Sequence, residues 1–334
     1  MTVVTRTFPP NDSLQTHLAT RLSPTGESLR TPARKTLLVR PDWLPDSVWP
    51  FQTFGLEMDH STIAATDVGQ GPTLLFVHTG VWSFIWRDVI GRLSQDFRCV
   101  CFDAPGTGQS SRLPGDAISL ERSARAVATV IRSLDLQNFT LVMHDLGGPA
   151  GLAGAASTAE RVRGIVGVNC FGWKPTGALF RGMLALMGST PIRELDVWTE
   201  FLNRITSTNF GIGRHMDSAS RQAFRAGIDR QGRRAFHYYM RDARNCDSLY
   251  RDVERVLCGP FKSLPLMTIF GERNDPLGFQ PQWKALFPSA RQIVVAGGNH
   301  FPMCDDPELV ADAIRSWHAE RVSPNPGSSS PEAR

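Results

Sequence analysis

The sequence predicts an α/β fold with a mostly parallel central sheet, helices on both faces of that sheet, and an inserted helical cap. Three observations predict it. Short apolar runs recur along the chain, helical patterns separate most of them, and one long helical stretch interrupts the series. A chain of 334 residues, with 41% hydrophobic and 20% charged residues, is long enough for one such domain with an insertion.

Eight runs have the character of strands. The first two, QTFGLEMD and TIAATDVG, predict an opening hairpin. The other six are short, apolar and β-branched, which is typical of strands buried on both faces of a parallel sheet. These six are TLLFVHT (73–79), RCVCFDA (98–104), FTLVMHD (139–145), GIVGVNC (164–170), PLMTIFGE (265–272) and RQIVVAGG (291–298).

The stretch between the sixth and seventh predicted strands has helical character and no strand-like run. It is far longer than one crossover helix needs. We therefore predict a helical cap at residues 171–262, inserted into an α/β core formed by residues 41–170 and 263–322. A cap in this position covers the carboxyl ends of the strands, where open α/β sheets bind ligands.

The two ends of the chain have a different character. Residues 1–40 show little periodicity, and we predict a disordered or loosely docked arm, with a transit peptide as the alternative. The Pro/Ser-rich segment 323–334 is predicted to be a disordered tail.

Composition argues against several classes of protein. The net charge is +4 and the basic residues are scattered, so a nucleic-acid partner is not expected. No stretch is long and apolar enough to span a membrane, and the N-terminus lacks the apolar core of a secretory signal. No CxxC pair or Cys/His cluster has metal-ligand spacing, so we expect free thiols, a cytoplasmic location, and neither metal nor cofactor. The cysteines are Cys99, Cys101, Cys170, Cys246, Cys258 and Cys304.

The stretch LVMHDLGGPAGLAG carries the first catalytic candidate. An apolar strand ends at Asp145, and two glycines lead into a helix of small residues. This is the strand–turn–helix context of a nucleophile elbow, in which Met143 is larger than usual. A carboxylate nucleophile attacks an sp³ carbon and forms an alkyl-enzyme ester, which water then hydrolyses. The alternative is that Asp145 only caps the following helix.

Two later motifs supply partners for Asp145. His300 lies in GGNHFP after the last predicted strand, where its ring can act as the base that activates the hydrolytic water. Asp275 lies in GERNDPLG after the seventh, where an acid fixes the tautomer of the histidine. Glu272 is a competing acid, and Asn-Asp-Pro is also a good turn sequence. Asp145, Asp275 and His300 also follow the chain order of nucleophile, acid and histidine that is typical of sites with such an elbow.

The sequence also suggests which backbone groups would stabilise an oxyanion. The loop that follows TLLFVHT donates one amide in this kind of site, and the residue after the nucleophile donates the other. The expected donors are therefore Thr79 or Gly80, together with Leu146.

The elbow, the GGNHFP and GERNDPL loops and the turn DAPGTGQS together resemble the α/β-hydrolase superfamily. The resemblance covers about residues 50–320. The segments HDLGG, WSFIWRDVIGRL and HFPMCDDPELVADAI look most like haloalkane dehalogenases. Epoxide hydrolases and the β-lactone decarboxylases of olefin biosynthesis share much of this pattern. The resemblance implies a hydrolase that acts with water on a small, largely apolar organic substrate, without a cofactor.

Both halide donors that the resemblance implies are missing at their matched positions. Dehalogenases usually carry Trp directly after the nucleophile, where this chain has Leu146, and an Asn in the loop that here is His-Thr-Gly-Val. The expected replacement is an indole N–H from Trp82, Trp86, Trp173 or Trp198, with Trp173 and Trp82 as the two first candidates, because a desolvated halide needs donors. One branch of the dehalogenases carries an Asn and a nearby Trp after the sixth strand, and Asn169 and Trp173 match that pattern.

Two alternative functions stay open on the sequence alone. Epoxide opening needs an acid near the leaving oxygen, which is usually a cap tyrosine, and Tyr238 and Tyr239 are the candidates, with Tyr250 as a third. The second alternative is a non-catalytic ligand receptor on the same fold. Occupied triad positions argue against the receptor, because a binding module does not need them.

Overall fold

The structure is a computed structural model that describes residues 35–322. The predictions for the arm up to residue 34 and for the tail 323–334 therefore lie outside the described residues.

Nine strands form one sheet in the described part of the chain. They are β1 (Thr36–Leu37), β2 (Phe54–Met58), β3 (Ser61–Val68), β4 (Thr73–Val77), β5 (Arg98–Phe102), β6 (Phe139–Asp145), β7 (Val162–Cys170), β8 (Leu266–Gly271) and β9 (Arg291–Val295). Their order is β1-β2-β3-β5-β4-β6-β7-β8-β9. The pairs from β1 to β5 in this order are antiparallel, and all later pairs are parallel. The mostly parallel sheet and its opening hairpin are confirmed.

The boundary predicted for the N-terminal arm is wrong at its C-terminal end. The two residues of β1 pair with the start of β2. Arg40 donates to the carbonyl oxygens of Trp49 and Phe51 at 2.6 and 3.0 Å. Residues 35–40 are therefore attached to the core. A strand of two exposed residues has no periodicity, so the sequence carries no signal for it.

Twelve α-helices connect or flank the strands among residues 35–322. They are α1 (Arg87–Leu93), α2 (Leu120–Ser133), α3 (Gly147–Gly154), α4 (Ala178–Met187), α5 (Thr190–Thr199), α6 (Phe201–Thr206), α7 (Ser218–Ala226), α8 (Arg230–Asp242), α9 (Asp247–Cys258), α10 (Phe279–Leu286), α11 (Pro302–Asp305) and α12 (Pro307–Arg321). Short 3-10 helices lie at Ser83–Trp86, Gly115–Ala117, Ala156–Arg161 and Gly213–His215.

Helices cover both faces of the sheet because the central strands are apolar along most of their length and are buried on both faces. In β4, Leu75 and Val77 join one hydrophobic core, whereas Leu74 and Phe76 join the other. Successive side chains of a strand point to opposite faces, so a continuous apolar run requires cover on both. Residues of α2 and α9 belong to the first core, and residues of α1 and α12 belong to the second.

Helices α4 to α9 all lie between β7 and β8, in the region that the sequence assigns to the cap. One of them approaches the loop after β4: a Cβ atom at Gly80 would lie 3.1 Å from a ring carbon of Phe236 in α8. We propose that residues 171–262 are the cap. Among residues 35–322, no helix has the length and apolarity that a membrane span requires. All six cysteines are free, and Cys258 alone is exposed.

Candidate active site

The predicted elbow has the backbone geometry of a sharp strand-to-helix turn. Asp145 ends β6 with φ of 50°, in the left-handed region that non-glycine residues seldom adopt. A Cβ at Gly147 would lie 2.6 Å from the carbonyl oxygen of Val77, and one at Gly148 would lie 2.2 Å from that of Phe171. Neither glycine tolerates a side chain, so the tight turn depends on both.

Two sequence-based questions about this turn are answered by its packing. The large Met143 fits because a glycine lies opposite: a Cβ at Gly151 would come within 2.8 Å of the Met143 sulfur. The N-cap residue of α3 is Leu146, and no side chain there accepts a capping hydrogen bond. Asp145 is therefore not the N-cap residue of α3.

Asp145 and His300 come together at the carboxyl end of the sheet. The Nε2 atom of His300 lies 3.7 Å from Oδ2 of Asp145, and the two side chains are 35% and 22% exposed. Burial raises the pKa of Asp145, but the nearby His300 ring lowers it, and the net effect is a pKa below the usual value. The carboxylate is therefore ionised at neutral pH, as a nucleophile requires.

The contact that the sequence predicts between Asp275 and His300 is wrong. The Asp275 carboxylate accepts hydrogen bonds from the backbone N–H groups of Phe279 and Gln280 at 2.7 and 2.9 Å, at the start of α10. The neighbouring Asn274 contacts His300 instead, with its side-chain amide 3.1 Å from Nδ1. The turn sequence Asn-Asp-Pro directs adjacent side chains to different sides. The Asp275 carboxylate therefore binds the first N–H groups of α10 and not the His300 ring.

Glu272, the alternative acid for orienting His300, also binds a different group. Glu272 accepts a hydrogen bond from the backbone N–H of Gly297 at 2.7 Å. Within residues 35–322, the only carboxylate paired with the His300 ring is that of Asp145.

Asn169 holds the histidine loop rather than facing a leaving group. Its side-chain N–H group donates to the carbonyl oxygens of Asn299 and His300, both at 2.9 Å, and its Oδ1 accepts from the backbone N–H of Gly271 at 3.0 Å. All of its polar atoms are therefore used between β7, β8 and the loop. The prediction that Asn169 contacts substrate is wrong in this geometry.

A buried pair of histidines links the loop after β4 to the histidine loop, and sequence reasoning missed it. The backbone N–H of Val81 donates to Nε2 of His78 at 3.3 Å. The Nδ1 atoms of His78 and His144 lie 2.9 Å apart, and Nε2 of His144 lies 2.8 Å from the carbonyl oxygen of His300. One arrangement of neutral tautomers satisfies all three bonds, with His78 donating to His144 and His144 donating to His300.

This pair predicts a pH-dependent stability. Burial, and secondly the charge of His300, lower the pKa of His78 to about 3, and burial takes the pKa of His144 well below its usual value. Below pH 6.5 the unfolded chain therefore binds protons that the folded chain does not. The free energy of unfolding consequently decreases as the pH is lowered. We expect the free energy of unfolding to fall as the pH drops below about 6.5, by up to about 1.4 kcal/mol per pH unit for the titration of His78, and to keep its full value above that pH.

Urea unfolding across this pH range measures the effect. The variant His78→Gln should show a shallower dependence than the wild type, because it has lost one of the two titrating groups. Equal pH slopes for the two proteins would contradict the assignment.

The indole N–H of Trp82, one of the two first candidates for a halide donor, already binds a group of the protein. Its side chain is fully buried, and its indole N–H donates to the carbonyl oxygen of Phe224 at 3.1 Å. The prediction that it binds a leaving group is therefore wrong in this geometry. The ring of Trp173 packs 5.2 Å from Trp283 and 5.6 Å from Phe279. No hydrogen bond to its indole N–H is present in the described part of the chain.

Two of the three cap tyrosines have hydroxyl groups that are already bound within the protein. Tyr239 is fully buried and donates to the carbonyl oxygen of Pro105 at 2.7 Å, and burial raises the pKa of its hydroxyl. The Tyr250 hydroxyl likewise donates to a backbone carbonyl, at 2.8 Å. The Tyr238 ring lies against the guanidinium groups of Arg193 and Arg241. The prediction for Tyr239 is wrong, and the ring of Tyr238 is held in a cationic surrounding.

The predicted oxyanion donors flank the elbow. Thr79 is buried with its hydroxyl 3.0 Å from that of Ser123, which fixes the loop. Gly80 has φ of 103°, a conformation that favours glycine. Leu146 follows Asp145 directly, and a hydrogen bond from its backbone contributes to the low pKa of the carboxylate. The role of these amides in binding an oxyanion stays a prediction.

This fold and elbow define a class of protein. The chain belongs to the alpha/beta hydrolase family, whose sequence model matches residues 74–313.

Within that family the chain is similar to haloalkane dehalogenases. Haloalkane dehalogenase 2 of Mycobacterium tuberculosis is 27% identical over 280 residues, which covers 82% of this chain and 97% of the relative. The cis-3-alkyl-4-alkyloxetan-2-one decarboxylase of Shewanella oneidensis is 23% identical over 290 residues, 82% of this chain and 91% of the relative. The solved haloalkane dehalogenase DbeA from Bradyrhizobium elkani has a TM-score of 0.68 at 18% identity, over 79% of this chain and 96% of the other, and shows the shared fold. The chain is thus a haloalkane dehalogenase-like hydrolase.

Proposed function

We propose that this hydrolase uses Asp145 as a nucleophile, forms an alkyl-enzyme ester, and hydrolyses that ester with water activated by His300. The observation that carries this proposal is an ionised carboxylate at the strained elbow, 3.7 Å from the His300 ring. A carboxylate at this point cannot act as a serine does, because attack on an acyl carbon would give an anhydride. Attack on an sp³ carbon gives a stable ester that needs a separate hydrolytic step.

The substrate we propose first is a small haloalkane, because several relatives are named as haloalkane dehalogenases. Trp173 is the first candidate for the halide donor, since the N–H of Trp82 is engaged. The proposed location is the cytoplasm, which free buried thiols favour. Release of bromide from a brominated alkane tests the activity, with Asp145→Asn as the inactive control.

A strained cyclic ester is the second candidate substrate. The lack of an indole at position 146 and the engaged N–H of Trp82 weaken the case for a halide, and relief of ring strain helps to drive the opening of a cyclic ester. The similarity to an oxetan-2-one decarboxylase points the same way. Epoxides are less favoured, because Tyr239 donates to Pro105 and cannot protonate an opening ring.

Substitution of Trp173 separates these substrates. If a halide leaves, Trp173→Phe should lower the rate on a brominated alkane roughly ten- to a hundredfold, since one donor to a buried anion is lost. The rate on a β-lactone should stay nearly unchanged. Tyr238→Phe and Tyr239→Phe should not slow any epoxide reaction selectively. An equal loss on bromide and lactone for Trp173→Phe would remove it as a halide donor.

A further inference from the structure

The histidine loop, residues 297–301, begins with two glycines and is held by hydrogen bonds to its backbone carbonyl groups. Donors from the α/β core bind the carbonyl oxygens of its second, third and fourth residues. The carbonyl oxygen of Gly297 is bound from the cap instead, because Nη2 of Arg214 donates to it at 2.9 Å. Gly297 has φ of 64°, and glycine has the most backbone freedom to lose, so this end of the loop depends on its cap contact.

A buried carboxylate connects the same arginine to the other side of the loop. Asp305 ends α11, and its side chain is fully buried. Its Oδ2 accepts a hydrogen bond from the backbone N–H of Asn299 at 2.5 Å. Its Oδ1 lies 3.3 Å from Nε of Arg214. One guanidinium group of the cap therefore contacts the start of the loop directly and its third residue through a carboxylate.

The short 3-10 helix Gly213–His215 places this guanidinium group. Nε2 of His215 lies 2.9 Å from the carbonyl oxygen of Asp305, which attaches the 3-10 helix to α11 a second time. Within the cap, Arg221 of α7 donates to the first carbonyl oxygen of the 3-10 helix at 2.8 Å. The contact is thus fixed on the cap side as well as on the side of the histidine loop.

The ion pair between Arg214 and Asp305 matters because the carboxylate has lost its water. Oδ1 of Asp305 makes no hydrogen bond within residues 35–322, so the guanidinium charge is what compensates it. Burial raises the pKa of Asp305, and the hydrogen bond from Asn299 and the charge of Arg214 partly offset that effect. Removal of one partner from such a pair leaves an uncompensated buried charge, and the remaining group then moves or takes up a proton.

We propose that Arg214 is a positioning residue for the base: it holds the histidine loop from the cap and thereby sets the place of the His300 ring beside Asp145. The inference rests on the proposed function, in which His300 acts in ester hydrolysis and the ionised Asp145 attacks without a base. Asp145 belongs to β6 and takes no part in this contact. Arg214 is therefore needed for the hydrolytic step and not for the attack on the substrate.

Single-turnover measurements with a brominated alkane separate the two steps in Arg214→Met. We expect bromide release at the wild-type rate and ester hydrolysis slower by roughly tenfold to a hundredfold, since a misplacement of about 1 Å costs a catalytic group this much. The matched control is Arg112→Met, which breaks another ion pair between core and cap, at 2.9 Å from Asp229. Both steps should keep their rates in the control. Equal slowing of the two steps in Arg214→Met, or slow hydrolysis in Arg112→Met, would overturn the assignment.

A charge-neutral double variant decides the question even if Arg214→Met does not fold. Arg214→Met combined with Asp305→Asn leaves no buried charge without a partner, and the amide oxygen introduced at position 305 can still accept from the Asn299 N–H. The donor to the Gly297 carbonyl is still lost. We expect the same selective loss of ester hydrolysis, and normal hydrolysis in the double variant would contradict the positioning role.

Hydrogen–deuterium exchange provides a readout that does not need turnover. Amide exchange in the peptide that spans residues 297–301 should be faster in Arg214→Met and in the double variant than in the wild type, and unchanged in Arg112→Met. If no ester forms on the wild type but exchange rises as expected, the proposed function fails and the ordering of the loop by the cap stands. If the ester forms and the variants hydrolyse it at the wild-type rate, the positioning role is wrong and the proposed function stands.

Discussion

Replacement of His300 by glutamine is expected to leave the first chemical step intact and to trap a covalent ester on Asp145. The carboxylate attacks without a base, because it is ionised, whereas the water that cleaves the ester needs His300 to remove its proton. Loss of a general base slows such a step by roughly 10²–10⁴-fold. Intact-mass spectrometry after incubation with a brominated alkane should therefore show protein carrying one alkyl group.

The companion variants make this result specific. Asp145→Ala should show no adduct and no turnover, because it lacks the attacking oxygen. His60→Gln changes an exposed histidine and should behave as the wild type. If His300→Gln and Asp145→Ala both lose the adduct to the same extent, the carboxylate-nucleophile mechanism is incorrect.

Substitution of Asn274 by aspartate is expected to accelerate ester hydrolysis. Asn274 is the side chain that contacts Nδ1 of His300, at 3.1 Å. An amide either donates to Nδ1, which favours the wrong tautomer for a base, or accepts from it without a charge to stabilise the imidazolium. A carboxylate gives a charge-assisted hydrogen bond about twice as strong, so we expect a gain of about tenfold in the hydrolytic step.

Asp275→Ala is the matched control, one residue further along the chain. Its carboxylate binds the first N–H groups of α10 and does not contact His300. We expect unchanged kinetics and a loss of about 1 kcal/mol in the free energy of unfolding, as for a removed helix cap. Single-turnover measurements on pre-formed ester, together with urea unfolding, check both variants. A large kinetic defect in Asp275→Ala, with no gain in Asn274→Asp, would restore Asp275 as the orienting acid.

The elbow could be predicted from sequence because its determinants are local. An apolar strand, an acid, and two glycines within a few residues require a tight turn, and contacts of under 3 Å at the missing Cβ positions explain the requirement. The strands could be predicted for a similar reason, since burial on both faces leaves runs that are mostly apolar instead of alternating. Both patterns can be interpreted without knowing any contact between residues that are distant in sequence.

The orientation of individual side chains could not be predicted in this way. Trp82 and Tyr239 have the right chemistry for a leaving-group site, but Phe224 and Pro105 provide carbonyl acceptors that lie far away in sequence. The histidine pair was missed because His78 directly follows β4, His144 lies on β6, and the two carry no shared motif. Only the pairing of β4 with β6 brings them together.

The sequence by itself therefore determined the α/β architecture, the position of the insertion, and the identity of Asp145 and His300 as neighbours at one edge of the sheet. The tertiary structure decided which residue contacts Nδ1 of His300, and that residue is Asn274 rather than Asp275. The physical reason is that the side chains of adjacent residues in a turn diverge, and the N–H groups at the start of α10, which have no acceptor within the helix, bind the Asp275 carboxylate.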